Sequence, residues 1–105
     1  MHKFWKVSAD EVWAIAKERA QRLRSRSFSE LSALPPSMPE MVLVQDQKVD
    51  TWTYRDTLTD GRVRIVVQAY RYRLLGGGTM TAEGFIMSPD GLISGVPKEM
   101  MYEFI

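Results

Sequence analysis

Apolar side chains recur at three- and four-residue steps near the start of the chain: Ala9, Val12, Trp13, Ala16, Ala20 and Leu23. One face of an α-helix repeats at that interval. Ser8 and Glu11 stand at the S-x-x-E spacing, in which the hydroxyl and the carboxylate each accept a hydrogen bond from an orphaned amide. Asp10 and Glu11 fall in the first turn, and Arg22, Arg24 and Arg26 crowd the far end, the polarity a helix dipole favours. The spacing predicts a helix over Ala9–Arg24. Ser27 and Glu30 repeat the capping spacing and predict a short helical segment over Phe28–Leu34, stopped by Pro35, Pro36 and Pro39. Leu34 to Glu40 reads as a stiff, extended connection.

Beyond it the period falls to two. Met41–Val44 is a short apolar run, which Phe4, Trp5 and Val7 echo near the N-terminus as a first strand or lead-in. From Asp50 to Leu58 one face carries Trp52, Tyr54 and Leu58 and the other Thr51, Thr53, Arg55 and Thr57, predicting a half-buried strand with its aromatics inward. Thr59-Asp60-Gly61 marks a turn. Arg62–Leu75 alternates as a long strand whose phase slips: Val63, Ile65, Val67 and Ala69 share one face, Tyr70, Tyr72 and Leu74 the other. A bulge near Gln68–Tyr70, or ends covered on opposite faces, would reconcile the halves. Gly76-Gly77-Gly78 opens a further strand over Thr79–Ser88. Pro89-Asp90-Gly91 makes a tight turn, Leu92 and Ile93 a short return, and Pro97 starts a terminal helix carrying Met100, Met101 and Phe104. The sum is an α+β fold, one domain over residues 1–105. An N-terminal helix packs on an antiparallel meander of about four strands, with a short C-terminal helix. Trp13 and Trp52 are expected to meet in its core.

Composition narrows the chemistry. The 105 residues are 45% hydrophobic and 26% charged, with net charge +1, too apolar for a disordered chain. Without cysteine there is no disulfide framework, thiol nucleophile or cysteine-bound metal. The single histidine, His2, makes a Ser-His-Asp triad improbable. The longest runs free of charge, Leu31–Pro39 and Leu74–Ala82, are far short of the ~20 apolar residues that span a bilayer. No export signal is evident, so a cytoplasmic protein away from the membrane is expected. Neither a cofactor motif nor a metal-ligand spacing emerges. Gly76-Gly77-Gly78-Thr79 lacks a phosphate loop's lysine and following helix and reads as a hairpin loop. Asp46, Asp50, Asp56 and Asp60 read as strand-edge and turn residues.

The most suggestive group is the strand Arg62, Arg64, Tyr70, Arg71, Tyr72 and Arg73, where guanidinium forks and aromatic rings could meet phosphates and bases. Its alternation sets Arg62 and Arg64 opposite Arg71 and Arg73 unless a bulge intervenes. Trp5 is a second candidate for an interaction patch. Lys17, Arg19, Arg22, Arg24 and Arg26 read as a solvated helix face, with Glu18 and Arg22 paired one turn apart.

No catalytic set can be assembled from these residues, which leads to a non-catalytic protein-binding module, its partner another protein or a second copy. The alternative is an RNA-binding protein or metal-free endoribonuclease. The order of elements, helices first and then a basic antiparallel sheet, resembles that of RelE-like toxins. The resemblance implies phosphodiester cleavage by Arg, Lys and Tyr side chains. It covers element order alone, so no residue inherits a role, and nucleic acid is the less favoured partner. A small-ligand pocket lined by Trp52, Tyr54 and Phe85 between helix and curved sheet is a third expectation. By segment, charge runs +3 over residues 1–35, −3 over 36–60, +3 over 61–84 and −2 over 85–105. Such alternation predicts pairing between segments rather than one polyanion-binding face.

Overall fold

Ser8 caps the first helix as its spacing requires. Its hydroxyl accepts from the Glu11 amide at 3.1 Å and the Glu11 carboxylate accepts from the Ser8 amide at 2.9 Å. The computed structural model describes residues 8–72 and 78–102. In it α1 runs Ala9–Arg24 and α2 runs Phe28–Ser32, the latter closed by a second capping box between Ser27 and Glu30. The strands are β1 (Ser37–Val44), β2 (Gln47–Thr57), β3 (Val63–Tyr72), β4 (Gly78–Met87) and β5 (Ile93–Gly95), followed by a 3-10 helix over Lys98–Tyr102. All pairs are antiparallel, and the sheet order β1-β2-β3-β4-β5 is the sequence order. The fold is thus α+β, with five strands where about four were expected.

The additional strand comes from β1, which starts at Ser37 rather than Met41. A two-residue turn at Gln45 and Asp46, both at positive φ (51° and 64°), joins it to β2. The Arg55 amide donates to the Pro36 carbonyl at 3.0 Å, which fixes the phase of the ladder. Met38, Glu40, Val42 and Val44 direct their backbone groups at β2, and Ser37, Pro39, Met41 and Leu43 direct theirs outward. Pro39 therefore lacks its N–H where no ladder bond needs one.

The helices cover one face of the sheet. Val12, Ala16 and Ala20 pack on Val49, Val67 and Ala69. Leu31 packs with Val63, Ile65, Phe85 and Met87, joined by Leu23, Phe28 and Leu34. Under α1 the expected orientation of β2 is reversed. Thr51 and Thr53 are buried on the helix side, while Trp52 and Tyr54 lie half-buried on the other. Thr51 satisfies its hydroxyl by donating to the Glu40 carbonyl at 3.0 Å. Trp13 and Trp52 consequently do not meet, since the sheet separates them.

On the outer face the 3-10 helix seats against the middle of the sheet. Gln68 Nε2 donates to the Met101 carbonyl at 2.9 Å, and Val66, Ala82 and Ile86 are buried. β3 is therefore buried on both sides from Val63 to Ala69, with Arg64 and Gln68 among the buried residues of its outer face, and its register with β4 runs unbroken to Tyr72. That double burial, with no bulge, accounts for the slipped phase. Gly84 sits in this closed region: a Cβ there would meet the Ile65 carbonyl oxygen at 2.5 Å, so only glycine fits.

Candidate functional site

Alternation along β3 dictates where its arginines go. Arg64, on the outer face, is 6% exposed. Its Nε and Nη2 donate to the two carboxylate oxygens of Asp56, its cross-strand partner, at 2.9 and 2.7 Å, and Nη1 reaches the Met100 carbonyl at 3.4 Å. Arg71 is buried on the helix face, on the other side of the same strand. Arg62 lies in the turn before β3, with Nε donating to Asp60 at 2.7 Å. Its amide also donates to Asp60 at 3.1 Å and is the main cause of that carboxyl's lowered pKa. Tyr70 is half-buried on the Arg64 side. Tyr72 contributes backbone pairing with Gly78, while its side chain, Arg73 and Trp5 lie outside the described residues. Arg64 and Arg71 thus do not converge, and Arg64 is committed to Asp56.

A different surface stands open. Pro39, Met41 and Leu43 of β1 share the outer face with Trp52 and Tyr54 of β2. Met41 is 48% exposed and Leu43 60%. This end of the sheet lies beyond the 3-10 helix, and among the described residues no strand lies beside the outward N–H and C=O groups of Met41 and Leu43. The other edge is guarded. β5 pairs with Phe85–Met87 only, but Trp13 leans over β4 and donates Nε1–H to Glu83 at 2.8 Å. The Lys17 ammonium sits 3.9 Å from the Trp13 ring centroid. Trp13, Glu83, Thr81, Val96, Lys98 and Met101 line a cleft of about 450 Å³ at this guarded edge.

The helix arginines are less uniform than a solvated face. Arg22 forks onto Glu18, with Nε 2.8 Å from Oε2, and Arg24 stands 5.6 Å above the Phe85 ring. Arg19 crosses to β1 and pairs with Glu40, so that hydrogen bond first, and the charges of Arg19 and Arg22 after it, hold the Glu40 carboxyl below its usual range. Arg19, Arg22, Leu23 and Arg26 face Met38, Glu40 and Thr53 across a cleft of about 240 Å³. The pairs Arg19–Glu40 and Arg64–Asp56 each join segments of opposite net charge, as the alternation along the chain predicts.

The ligand pocket expected from Trp52, Tyr54 and Phe85 does not form. Phe85 is fully buried on the helix face, with Trp52 and Tyr54 on the other. Among the described residues no three of His, Cys, Asp and Glu lie together as a metal site. Nor, among the described residues, is any helix long and apolar enough to cross a membrane. No protein-family model, curated protein or solved structure matches the chain.

Proposed function

We propose that the protein is a non-catalytic interaction module whose recognition element is the open edge of β1, and that a second copy of the chain occupies it. The supporting observation is how protection of this edge stops partway. Pro39 withholds a donor and Glu40 places a charge, both devices that discourage pairing; Met41 and Leu43 beyond them are exposed and offer outward N–H and C=O groups.

The exposed half is self-complementary. Antiparallel pairing of two β1 edges about Val42 sets Met41 opposite Leu43 of the second copy, and Leu43 opposite its Met41. These are the outward-facing positions, so the two pairs exchange backbone hydrogen bonds in both directions. All four side chains then lie on the outer face and cover one another. Pro39 falls opposite Gln45 in the turn of the second copy, outside the paired stretch, where its missing donor leaves no gap. An interface with the same patch on both chains closes as a dimer. The opposed placement of Arg64 and Arg71 on β3 favours this reading over a phosphate-tracking surface.

Sedimentation velocity over a range of protein concentrations tests it. The expected result is a monomer–dimer equilibrium that Met41→Pro abolishes. That substitution removes an outward donor and leaves the ladder to β2, so folding stability should change by no more than about 1 kcal/mol. A chain that stays monomeric at its highest soluble concentration, or a dimer indifferent to both Met41→Pro and Leu43→Lys, would overturn the proposal.

A further inference from the structure

The cleft between α1 and β1 supports a second site, independent of pairing at the edge. Arg19 and Arg22, three residues apart, share one face of α1, and Arg26, just past the end of that helix, lines the same cleft. Opposite them stands a single carboxylate, Glu40, so the lining residues themselves carry a net charge of +2. Two other acids approach from outside the cleft. Glu18 holds Arg22 where both side chains are more than half exposed, a geometry in which water screens the pair. Glu30 feels the charge of Arg26, but its carboxylate is engaged by the Ser27 amide at 3.0 Å.

Donors are in surplus. Arg19 Nε–H is buried and has no acceptor, an arrangement whose cost an incoming oxygen would relieve. The Arg26 side chain is exposed beside the opening and forms no ion pair among the described residues. Leu23 and Met38 supply apolar walls, and Thr53, 7% exposed, brings a hydroxyl-bearing side chain to the same cleft. Apolar walls strengthen charge–charge attraction by keeping water back.

We infer that this cleft binds a phosphate monoester in its dianionic form. Two negative charges match the net +2 of the lining residues, and guanidinium forks bind phosphate oxygens in pairs. A volume of about 240 Å³ accommodates the phosphoryl group and the first atoms of its bearer, and is small for a drug-sized ligand.

Two-dimensional amide NMR at constant ionic strength tests the assignment, with inorganic phosphate and adenosine 5′-monophosphate as probes. A single-stranded RNA lacking a terminal phosphate serves as the polyanion arm. Saturable shifts centred on Arg19, Leu23, Arg26, Met38 and Thr53 are expected at pH 7.5. They should weaken at pH 5, below the second phosphate pKa of about 6. Arg26→Gln and Arg22→Gln each remove one charge-assisted contact and should weaken binding about tenfold. Both residues are exposed, so an unchanged spectrum without ligand separates lost binding from lost folding. Shifts that never saturate, or that chloride reproduces at equal ionic strength, would overturn the inference. So would tighter binding of the RNA than of either monoester, which would mark the cleft as part of a polyanion track. Because Met41→Pro leaves the cleft lining untouched, its effect on dimerisation and the phosphate titration fail or succeed separately.

Discussion

β3 and β1 belong to the same sheet, two strands apart, yet they live under different rules. β3 has a strand on each side, helices on one face and the 3-10 helix on the other, and Val63 through Ala69 are all buried. Among the described residues β1 has one neighbouring strand, and its outer face carries Met41 and Leu43 largely in water. Both segments are rich in Val, Leu, Ile and Met, so hydrophobicity alone does not separate core from surface here. Position in the sheet does. A central strand uses apolar side chains to hold the fold together, whereas an edge strand with the same side chains has them available for another molecule.

The largest test of that contrast is a pair of truncations. Ile65→Ala, at a fully buried position, should lower the unfolding free energy by about 2–5 kcal/mol. Leu43→Ala should stay within about 0.5 kcal/mol, both measured by urea titration. Equal effects would mean that β1 is covered in solution even in the monomer. Next comes the ion pair between Arg64 of the buried strand and Asp56. Asp56→Ala strands the Arg64 guanidinium and should cost about 2–3 kcal/mol, less than a fully buried pair because Asp56 keeps some contact with water. The double variant Asp56→Ala with Arg64→Met should recover most of that loss, since it removes the unpaired charge as well.

The smallest effect belongs to the periphery. Glu30, Glu40, Asp60 and Asp90 all have lowered pKa values. The leading causes are the Ser27 amide, the Arg19 guanidinium, the Arg62 amide and the Ser88 hydroxyl in turn. A folded-state value below the unfolded one means the unfolded chain binds protons first as acid is added. The stability these groups supply is present above the ordinary glutamate value of 4.5 and is lost as pH falls below it through the folded-state values. Thermal unfolding midpoints between pH 7 and pH 3 should therefore decline, and Glu30→Gln should make the decline shallower while leaving the capping box in place. An unchanged slope would show that the cap is fully formed in the unfolded chain or absent from the folded one.

Local chemistry was legible in the sequence where it acts through neighbours along the chain. The Ser8–Glu11 box and the three-four spacing place α1 at Ala9–Arg24 in both sequence and structure. Gly61 and Gly91 take positive φ, 90° and 93°, in the turns their motifs announce. What depends on a distant partner was not legible. Trp52 outranks Thr51 in hydrophobicity, but the space beneath α1 admits the smaller side chain. Pro39 suggested a stiff, extended connection rather than a strand, because its effect on a strand depends on which way its missing N–H points. The alternation of β3 did separate Arg64 from Arg71, and it could not say that Asp56 would claim Arg64. The Arg19–Arg22–Arg26 cleft was invisible as a site because half of its lining comes from β1 and β2.

The sheet order also has a consequence in time. Each strand pairs with the one made just before it, so every ladder closes a short loop, and the Gln45–Asp46 turn brings β1 and β2 together almost at once. Chains dominated by such local pairings fold quickly, because little loop entropy must be lost before contacts form. Docking of α1 onto β3 and β4 is the long-range step, since helix and strands are separated by much of the chain. Until that docking occurs, Val49, Val67 and Ala69 have no helix over them. Pro39 and Glu40 do not depend on that docking: a missing donor and a charge on the outer edge discourage pairing with another chain whether or not α1 is in place.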